Sequence, residues 1–248
     1  MRILSGFKQL ALKGKAMINK KIWGFHIDKS VGLAPIEQNY IGIGWNELGD
    51  LGQVPPNRES FKAALRLAQP HATEASIRAQ SSSLYRFTHE MKENDLIVYP
   101  SKSDRMIYVG VVKSEYQYKS DLVDDDYKNR RGVEWITPNG IPRSSFSQSA
   151  LNELGAFISI FAIKSATANE VLECLGLSTS NIDYQYAQQE DYAEETEILD
   201  DEIETKSINE TTKLSTEDFI VRRLHQNLNE YQFEEFVAHL LECMGYVA

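Results

Sequence analysis

The chain has 248 residues, a length that suits one or two domains. Its formal net charge of −10, taken as a single number, argues against a partner as acidic as nucleic acid. No stretch approaches the roughly 20 consecutive apolar residues of a membrane-spanning helix, and the lysine-bearing N-terminus lacks the apolar core of a signal peptide. These features predict a cytoplasmic protein with no membrane partner.

The charge is unevenly distributed along the chain. Residues 1–182 carry 22 basic and 19 acidic side chains, whereas residues 183–213 carry 2 basic and 11 acidic ones. Local charge, rather than the total, decides whether a surface can face phosphates. We therefore predict four regions: a basic arm (1–20), a domain able to contact nucleic acid (21–182), an acidic linker (183–213) and a C-terminal segment (214–248).

The first half of the domain is predicted to mix strands and helices. Alternating aromatic and polar residues indicate a strand over 21–28, and a second strand with two glycines is predicted over 39–45. Apolar residues at helical spacing then predict helices over 58–67 and 72–91. Trp23 is expected to lie in the core.

The second half is predicted to be a meander of short strands, at 95–100, 106–112, 115–118, 132–136 and 157–163. Short helices are expected over 145–154 and 168–175, and Gly176 ends the second of them. This order of elements predicts an α+β fold with a partly closed β-barrel and flanking helices.

Helical periodicity returns after the acidic linker, over 216–228 and again over 231–244. The two cysteines, Cys174 and Cys243, lie within apolar helical patterns. That setting predicts buried thiols rather than a disulfide or a metal-binding pair.

The segment 231–246 resembles the entry helix of Mrr-type restriction endonuclease domains, which begins with Phe-Glu and ends with Leu-Leu before Met-Gly-Tyr. The resemblance implies a PD-(D/E)XK nuclease, in which carboxylates and a lysine on strands hold Mg²⁺ and activate water. Glu234 would support that metal from the helix; its alternative role is a solvated carboxylate at a helix start. The chain ends before those strands. We therefore expect this chain to hold no metal, to need no cofactor and not to cleave DNA, whereas a complete nuclease would use Mg²⁺.

A second resemblance covers residues 22–177. It is carried by several short motifs in a fixed order: Trp23-Gly-Phe-His, Ile41-Gly-Ile-Gly-Trp45, Asp95-Leu-Ile-Val-Tyr-Pro100 and Tyr108-Val-Gly-Val-Val112. In this respect the domain is similar to the PUA-like, EVE-type reader domains found fused to nucleases in bacterial defence genes. The C-terminal helices would then be the incomplete start of the nuclease domain.

Domains of that type are expected to hold a base, flipped out of the stack, in an aromatic cage at the barrel mouth. A flipped base is a flat ring that needs aromatic walls and a polar group at its edge. The candidate walls are Trp45, Tyr99 and Trp135, each of which could instead be a core residue. Asp50 could accept a hydrogen bond from an exocyclic amine or merely cap its turn, and Ser101 could contact the base edge.

Contacts with the DNA backbone are predicted at basic positions in loops. The candidates are Lys102, the pair Arg130 and Arg131, and Arg143 with Ser144 and Ser145. The last three are expected to open a helix, where a guanidinium, hydroxyls and free backbone N–H groups come together.

These features predict the specificity module of a modification-dependent restriction endonuclease, which recognises a modified base, foremost a modified cytosine, in double-stranded DNA. Two alternatives stay open: a PUA-like RNA binder, and a non-catalytic defence or interaction protein whose C-terminal helices form a homodimer. A self-sufficient enzyme is disfavoured, because the sequence contains no Ser/His/Asp set, phosphate-binding loop or zinc motif.

Overall fold

The computed structural model of the chain describes residues 20–122, 125–155 and 158–177, and residues 213–246 except 214, 215, 218, 222 and 225. The predicted basic arm and acidic linker lie outside these residues, apart from their last positions, Lys20 and Lys213.

The described residues form an α+β fold around one strongly curled, half-barrel sheet. Its strands are β1 (Ile22–Phe25), β2 (Tyr40–Ile43), β3 (Leu96–Pro100), β4 (Met106–Val112), β5 (Gln117–Tyr118), β6 (Asn129–Trp135), β7 (Ile141–Pro142) and β8 (Ile160–Ala162). The α-helices with defined bounds are α1 (Ala34–Glu37), α2 (Arg58–Ala68), α3 (Glu74–Tyr85), α4 (Gln148–Leu154), α5 (Ser165–Cys174) and α6 (Glu230–Cys243). The predicted fold class is confirmed at this level.

The main path of the sheet has the order β2-β6-β4-β3-β1-β8. β1 and β3 run parallel, with Ile22 opposite Leu96, and the remaining pairs are antiparallel. A parallel pair needs a crossover connection, and here that connection contains β2, α2 and α3. The first two strands of the chain therefore lie far apart in the sheet order.

Strand residues alternate between two apolar cores. Trp23, Phe25 and Tyr99 belong to the first core, which α2 and α3 cover through residues such as Phe61 and Leu84. The strand residues between them point to the opposite face and belong to a second core, which α4 and α5 cover. Its strand residues include Ile22, Leu96, Val98, Ile107 and Val109. This alternation follows from the two-residue period of a strand.

A buried carboxylate joins β1 to the turn before β3. Asp95 is 2% exposed and accepts hydrogen bonds from Trp23 Nε1 at 2.9 Å, Lys92 N at 2.9 Å and Lys21 N at 3.2 Å. These three donors replace the water that the carboxylate loses on burial. The expected core position of Trp23, which is 1% exposed, is confirmed.

Two predicted helices begin or end differently in the structure. The helix predicted over 72–91 divides into α3 and a π-helix at Arg86–Glu90. The helix predicted over 145–154 begins only at Gln148, because the Ser147 hydroxyl caps it by accepting from Ala150 N at 3.2 Å.

The helix predicted over 231–244 is confirmed as α6. Asn229 and Gln232 form a capping box at its start, and Gly245, with φ +88°, follows its end. Its large apolar side chains are exposed: Tyr231, Phe233, Phe236, Leu240, Leu241 and Met244. The pairing of α6 with a preceding helix stays a prediction.

Both cysteines are free and exposed, so the prediction of buried thiols is wrong. The buried face of α5 is formed by Ala168, Val171 and Leu172, and Cys174 lies in the last turn beyond it. Cys243 lies on α6, where none of the described residues is buried. No described helix is long and apolar enough to cross a membrane.

Candidate functional site

A surface pocket of about 370 Å³ opens between the ends of β1 and β2, two strands that the curl of the sheet brings together. Its lining consists of His26, Ile27, Asp28, Gly42, Ile43, Gly44, Trp45, Glu47, Tyr127 and Ser159. A volume in this range is typical of sites for small ligands. Of the candidate residues named from the sequence, the lining contains Trp45 alone.

Trp45 is the largest aromatic side chain in the pocket lining. Its side chain is half-buried, and its backbone adopts the left-handed conformation, with φ +63° and ψ +46°. Bulky residues rarely take this conformation, and such outliers cluster at functional sites. Indole Nε1 donates to Gln80 Oε1 at 2.5 Å, and Gln80 Nε2 donates to Ser76 Oγ at 2.7 Å. Helix α3 therefore fixes the orientation of the ring.

Tyr127 is a second aromatic residue in the lining, and sequence reasoning missed it. It packs against Gly42, where an added Cβ would lie 3.0 Å from Tyr127 Cβ. Around Gly44 an added Cβ would meet only Asp126 O, at 3.9 Å, so this part of the pocket is open. Burial raises the pKa of Tyr127, and a backbone hydrogen bond with Asp28 opposes the rise, which places the phenol beside Asp28.

His26 contributes a neutral, packed imidazole. Its ring stacks on Phe161, with the ring centroids 5.6 Å apart and an interplanar angle of 19°. Burial, together with the positive charges of Lys102 and Arg143, lowers the pKa of His26 to about 3. Among the described residues, Nε2 has no hydrogen-bond partner. The ring therefore belongs to the packing of β1 against β8.

Replacing His26 by phenylalanine is expected to reduce the pH dependence of stability between pH 7 and 5. In the unfolded chain histidine takes up a proton near its ordinary pKa of about 6.5, whereas the folded protein keeps His26 neutral down to about pH 3. The unfolded state binds more protons in this window, so acidification destabilises the native protein, through this group by about 1–2 kcal/mol.

Urea unfolding at the two pH values measures this difference. The matched control is His71→Phe, at an exposed histidine, which should keep the native slope. A native pH dependence that survives in His26→Phe would contradict the assignment.

Tyr99 and Trp135, predicted as cage walls, lie in the first core instead. They are 3% and 4% exposed, and their ring centroids are 6.2 Å apart. Tyr99 Oη donates to Gly32 O at 3.2 Å, and Trp135 Nε1 donates to Pro35 O at 2.9 Å. Burial raises the pKa of Tyr99 to about 12. Their placement in an open cage is wrong, because both side chains are on the sheet face that α2 and α3 cover.

Asp50 and Ser101, predicted at the base edge, lie outside the pocket lining. Asp50 holds its own loop: it accepts from Gly52 N at 2.9 Å and from Tyr116 Oη at 2.7 Å. Burial alone would raise the pKa of Asp50, but the hydrogen bond from Tyr116 and those from Gly52 and Gln53 lower it below its ordinary value. Ser101 is 1% exposed, so it offers no surface for a ligand.

The predicted backbone contacts fall into two groups. Arg131 is 1% exposed and is a core residue, so its assignment to phosphate is wrong. The Arg130 guanidinium already has partners within the protein: it forms an ion pair with Asp125, and its Cζ lies 3.8 Å from the centroid of the Tyr40 ring. Lys102, by contrast, lies near enough to the pocket to influence the pKa values of both His26 and Asp28.

Arg143, Ser144 and Ser145 do not open an α-helix. They form a three-residue 3₁₀ helix after β7, and α4 starts separately at Gln148. The prediction that these three residues supply free backbone N–H groups at the start of an α-helix is therefore wrong. Both serines are exposed, and the charge of Arg143 contributes to the low pKa of His26, a residue of the pocket lining.

Glu234 lies exposed on α6. Among the described residues, no group of three or more His, Cys, Asp or Glu side chains is arranged to hold a metal ion. One isolated carboxylate does not fit a Mg²⁺ site, which needs several oxygen ligands.

The fold and the pocket together define the class of protein. It is an α+β domain whose curled sheet carries a partly aromatic pocket, lined by residues that follow β1 and by residues in and after β2. The chain belongs to the family described as Domain of unknown function (DUF8426), whose profile matches residues 25–154. That range reaches from the last residue of β1 to the end of α4 and contains every pocket residue except Ser159. No curated protein and no solved structure matches the chain.

Proposed function

We propose that this protein is a DNA reader that binds a modified base, flipped out of double-stranded DNA, in the Trp45 pocket and thereby targets an Mrr-type nuclease. The observation that carries the proposal is that Trp45 is partly exposed in a pocket and has a left-handed backbone conformation. Tryptophans that serve packing in this domain are buried, as Trp23 and Trp135 are, at 1% and 4% exposure. Trp45 is instead half-buried, backbone-constrained and open to a pocket.

The pocket has the chemistry that a flipped base requires. A base stacks on an aromatic face with a gain of about 1–3 kcal/mol, and Trp45 offers such a face in an orientation fixed by Gln80. The second aromatic, Tyr127, and the open floor at Gly44 leave room for a flat ring. A volume of about 370 Å³ accommodates a base with an added substituent.

The surroundings of the pocket favour a polyanion. Lys102 and Arg143 act electrostatically on His26, and Lys29 is exposed next to Asp28. Basic groups at such positions contact the phosphates that flank an extruded nucleotide and set the register of the protein on DNA. The acidic total of the chain does not oppose this, since residues 1–182 carry a small basic excess.

The PUA-like, EVE-type identity of the domain is part of the proposal, and the curled sheet with flanking helices supports it. The link to a nuclease rests on the resemblance of residues 231–246 to the Mrr entry helix. Formation of α6 at that place, with its capping box, supports the link. In the complete nuclease, Mg²⁺ would be the cofactor.

Binding of matched duplexes tests the reader function. One duplex sequence carries cytosine, 5-methylcytosine, 5-hydroxymethylcytosine or its glucosylated form at a single position, and an RNA of the same sequence is the fifth probe. We expect one modified duplex to bind about tenfold or more tightly than the unmodified duplex at 0.15 M salt. Equal, salt-controlled binding to all four duplexes would contradict modified-base reading, and preference for the RNA would favour the PUA-like RNA binder.

A further inference from the structure

A carboxylate at the pocket rim, overlooked in the sequence, is held in a fixed orientation. Asp28 follows β1 and lines the pocket next to Tyr127. Its Oδ1 accepts from Ser30 N at 2.8 Å and from Ser30 Oγ at 2.6 Å. Two bonds to one oxygen fix the plane of the carboxyl group and engage only half of its accepting capacity.

The other oxygen of Asp28 remains an acceptor for a ligand. Among the described residues, no hydrogen bond or ion pair engages Oδ2. The bonds from the Ser30 hydroxyl and backbone lower the pKa of Asp28, so the group is ionised at neutral pH. An ionised carboxylate only accepts hydrogen bonds and donates none.

The other polar side chains of the described lining are less suited to select a ligand by its hydrogen-bonding edge. Glu47 is held by one hydrogen bond, from Gln69 Nε2 to Oε1 at 3.0 Å, whereas Asp28 is held by two. The hydroxyls of Tyr127 and Ser159 can donate as well as accept, so they do not distinguish an amine from a carbonyl. The imidazole of His26 is packed on Phe161. The lining contains two carboxylates and no lysine or arginine, so its charged groups accept hydrogen bonds and repel electron-rich atoms.

We propose that Asp28 makes the pocket select bases that present an exocyclic amine, such as cytosine N4 or adenine N6, over bases that present a carbonyl oxygen there. The proposal rests on the proposed reader function and assigns the edge contact to Asp28 instead of Asp50. An amine donates to Oδ2, whereas the carbonyl oxygen of thymine or uracil places two acceptors face to face. Asp28 is exposed in the free protein and is covered by the bound base, so a carbonyl partner would leave Oδ2 shielded from water and without a donor.

Pairs of bases that differ at this exocyclic group, and in the proton on the ring nitrogen beside it, test the proposal. The pairs are 5-methylcytosine with thymine, 5-hydroxymethylcytosine with 5-hydroxymethyluracil, and adenine with hypoxanthine. Each base is placed opposite an abasic site in the same duplex, so that the cost of breaking a base pair does not enter the comparison. We expect the amine member of the pair that binds best to bind about tenfold or more tightly than its carbonyl partner.

Asp28→Asn keeps the oxygen that accepts from Ser30 and places an amide donor where Oδ2 was. The ratio of affinities for the amine base and its carbonyl partner, in the pair that binds best, should therefore fall to about twofold or invert. Asp121→Asn is the matched control: it makes the same change at an exposed aspartate outside the pocket lining and should keep the native ratio. Ser30→Ala loosens the carboxylate and should lower the ratio partially, which gives a second test if the asparagine variant does not fold. All three variants are compared with the native protein by thermal unfolding.

The outcomes separate the two proposals. Equal binding within every pair, with a clear preference for these bases over a duplex that lacks the target base, would overturn the role of Asp28 and leave the reader function standing. A native ratio in Asp28→Asn would overturn it as well. Loss of every dependence on the target base would overturn the reader function itself.

Discussion

Replacing Arg131 by methionine is expected to lower the free energy of unfolding by about 3–5 kcal/mol. The buried guanidinium donates to Phe87 O at 2.7 Å, to Thr88 O at 3.0 Å and to Ser114 O at 3.2 Å. Phe87 and Thr88 lie in the π-helix, so Arg131 supplies the donors that this irregular turn needs. Methionine fills much of the volume but leaves three carbonyl groups without a partner.

Urea unfolding measures the loss, and Arg78→Met, at an exposed arginine on α3, is the control, with an expected change within about 0.5 kcal/mol. Arg131→Lys keeps the charge but cannot donate in three directions from a planar group, so it should remain clearly destabilised. If Arg131 contacted a phosphate, Arg131→Met would instead leave the free energy of unfolding unchanged. It would reduce the slope of the logarithm of DNA affinity against the logarithm of salt concentration by about 1.

The wrong assignment of Arg131 shows which part of the sequence signal was missed. In β6, Arg130 and Arg131 lie opposite Gly42 and Ile41 of β2, and neighbouring strand residues point to opposite faces. The two arginines therefore could not both face DNA. Arg131 shares its face with Val133 and Trp135, which are buried at 4% exposure each. That apolar alternation favoured the core for Arg131 and the outer face for Arg130.

Local periodicity predicted much of the fold but only part of the pocket. Every strand except β7, together with α2, α5 and α6, follows from spacings within a few residues, and so does the core position of Trp23. The pocket instead depends on the curl that brings the ends of β1 and β2 together, a long-range event that no local pattern reports. Asp28 and Tyr127 lie in irregular segments beside that junction, so their shared site became visible only in three dimensions.

Replacing Trp45 by alanine is expected to abolish the preference for a modified base, with affinity falling about 5- to 150-fold, because the stacking face is lost. Trp45→Phe keeps an aromatic face without Nε1 and should retain most of the preference. Affinities for the modified and unmodified duplexes of the reader experiment measure both effects. Thermal unfolding should show a small change, since the side chain is half-buried and lies at the margin of the first core.

The two Trp45 variants also separate stacking from strain. Alanine and phenylalanine both meet the left-handed backbone at φ +63°, so any cost of that conformation is common to them. A difference in base preference between the two variants therefore reports the aromatic face alone. If Trp45→Ala folds and discriminates as well as the native protein, stacking on Trp45 is not how this pocket reads a base. If both variants lose discrimination equally, the hydrogen bond from Nε1 to Gln80, which fixes the ring, is the contribution that matters.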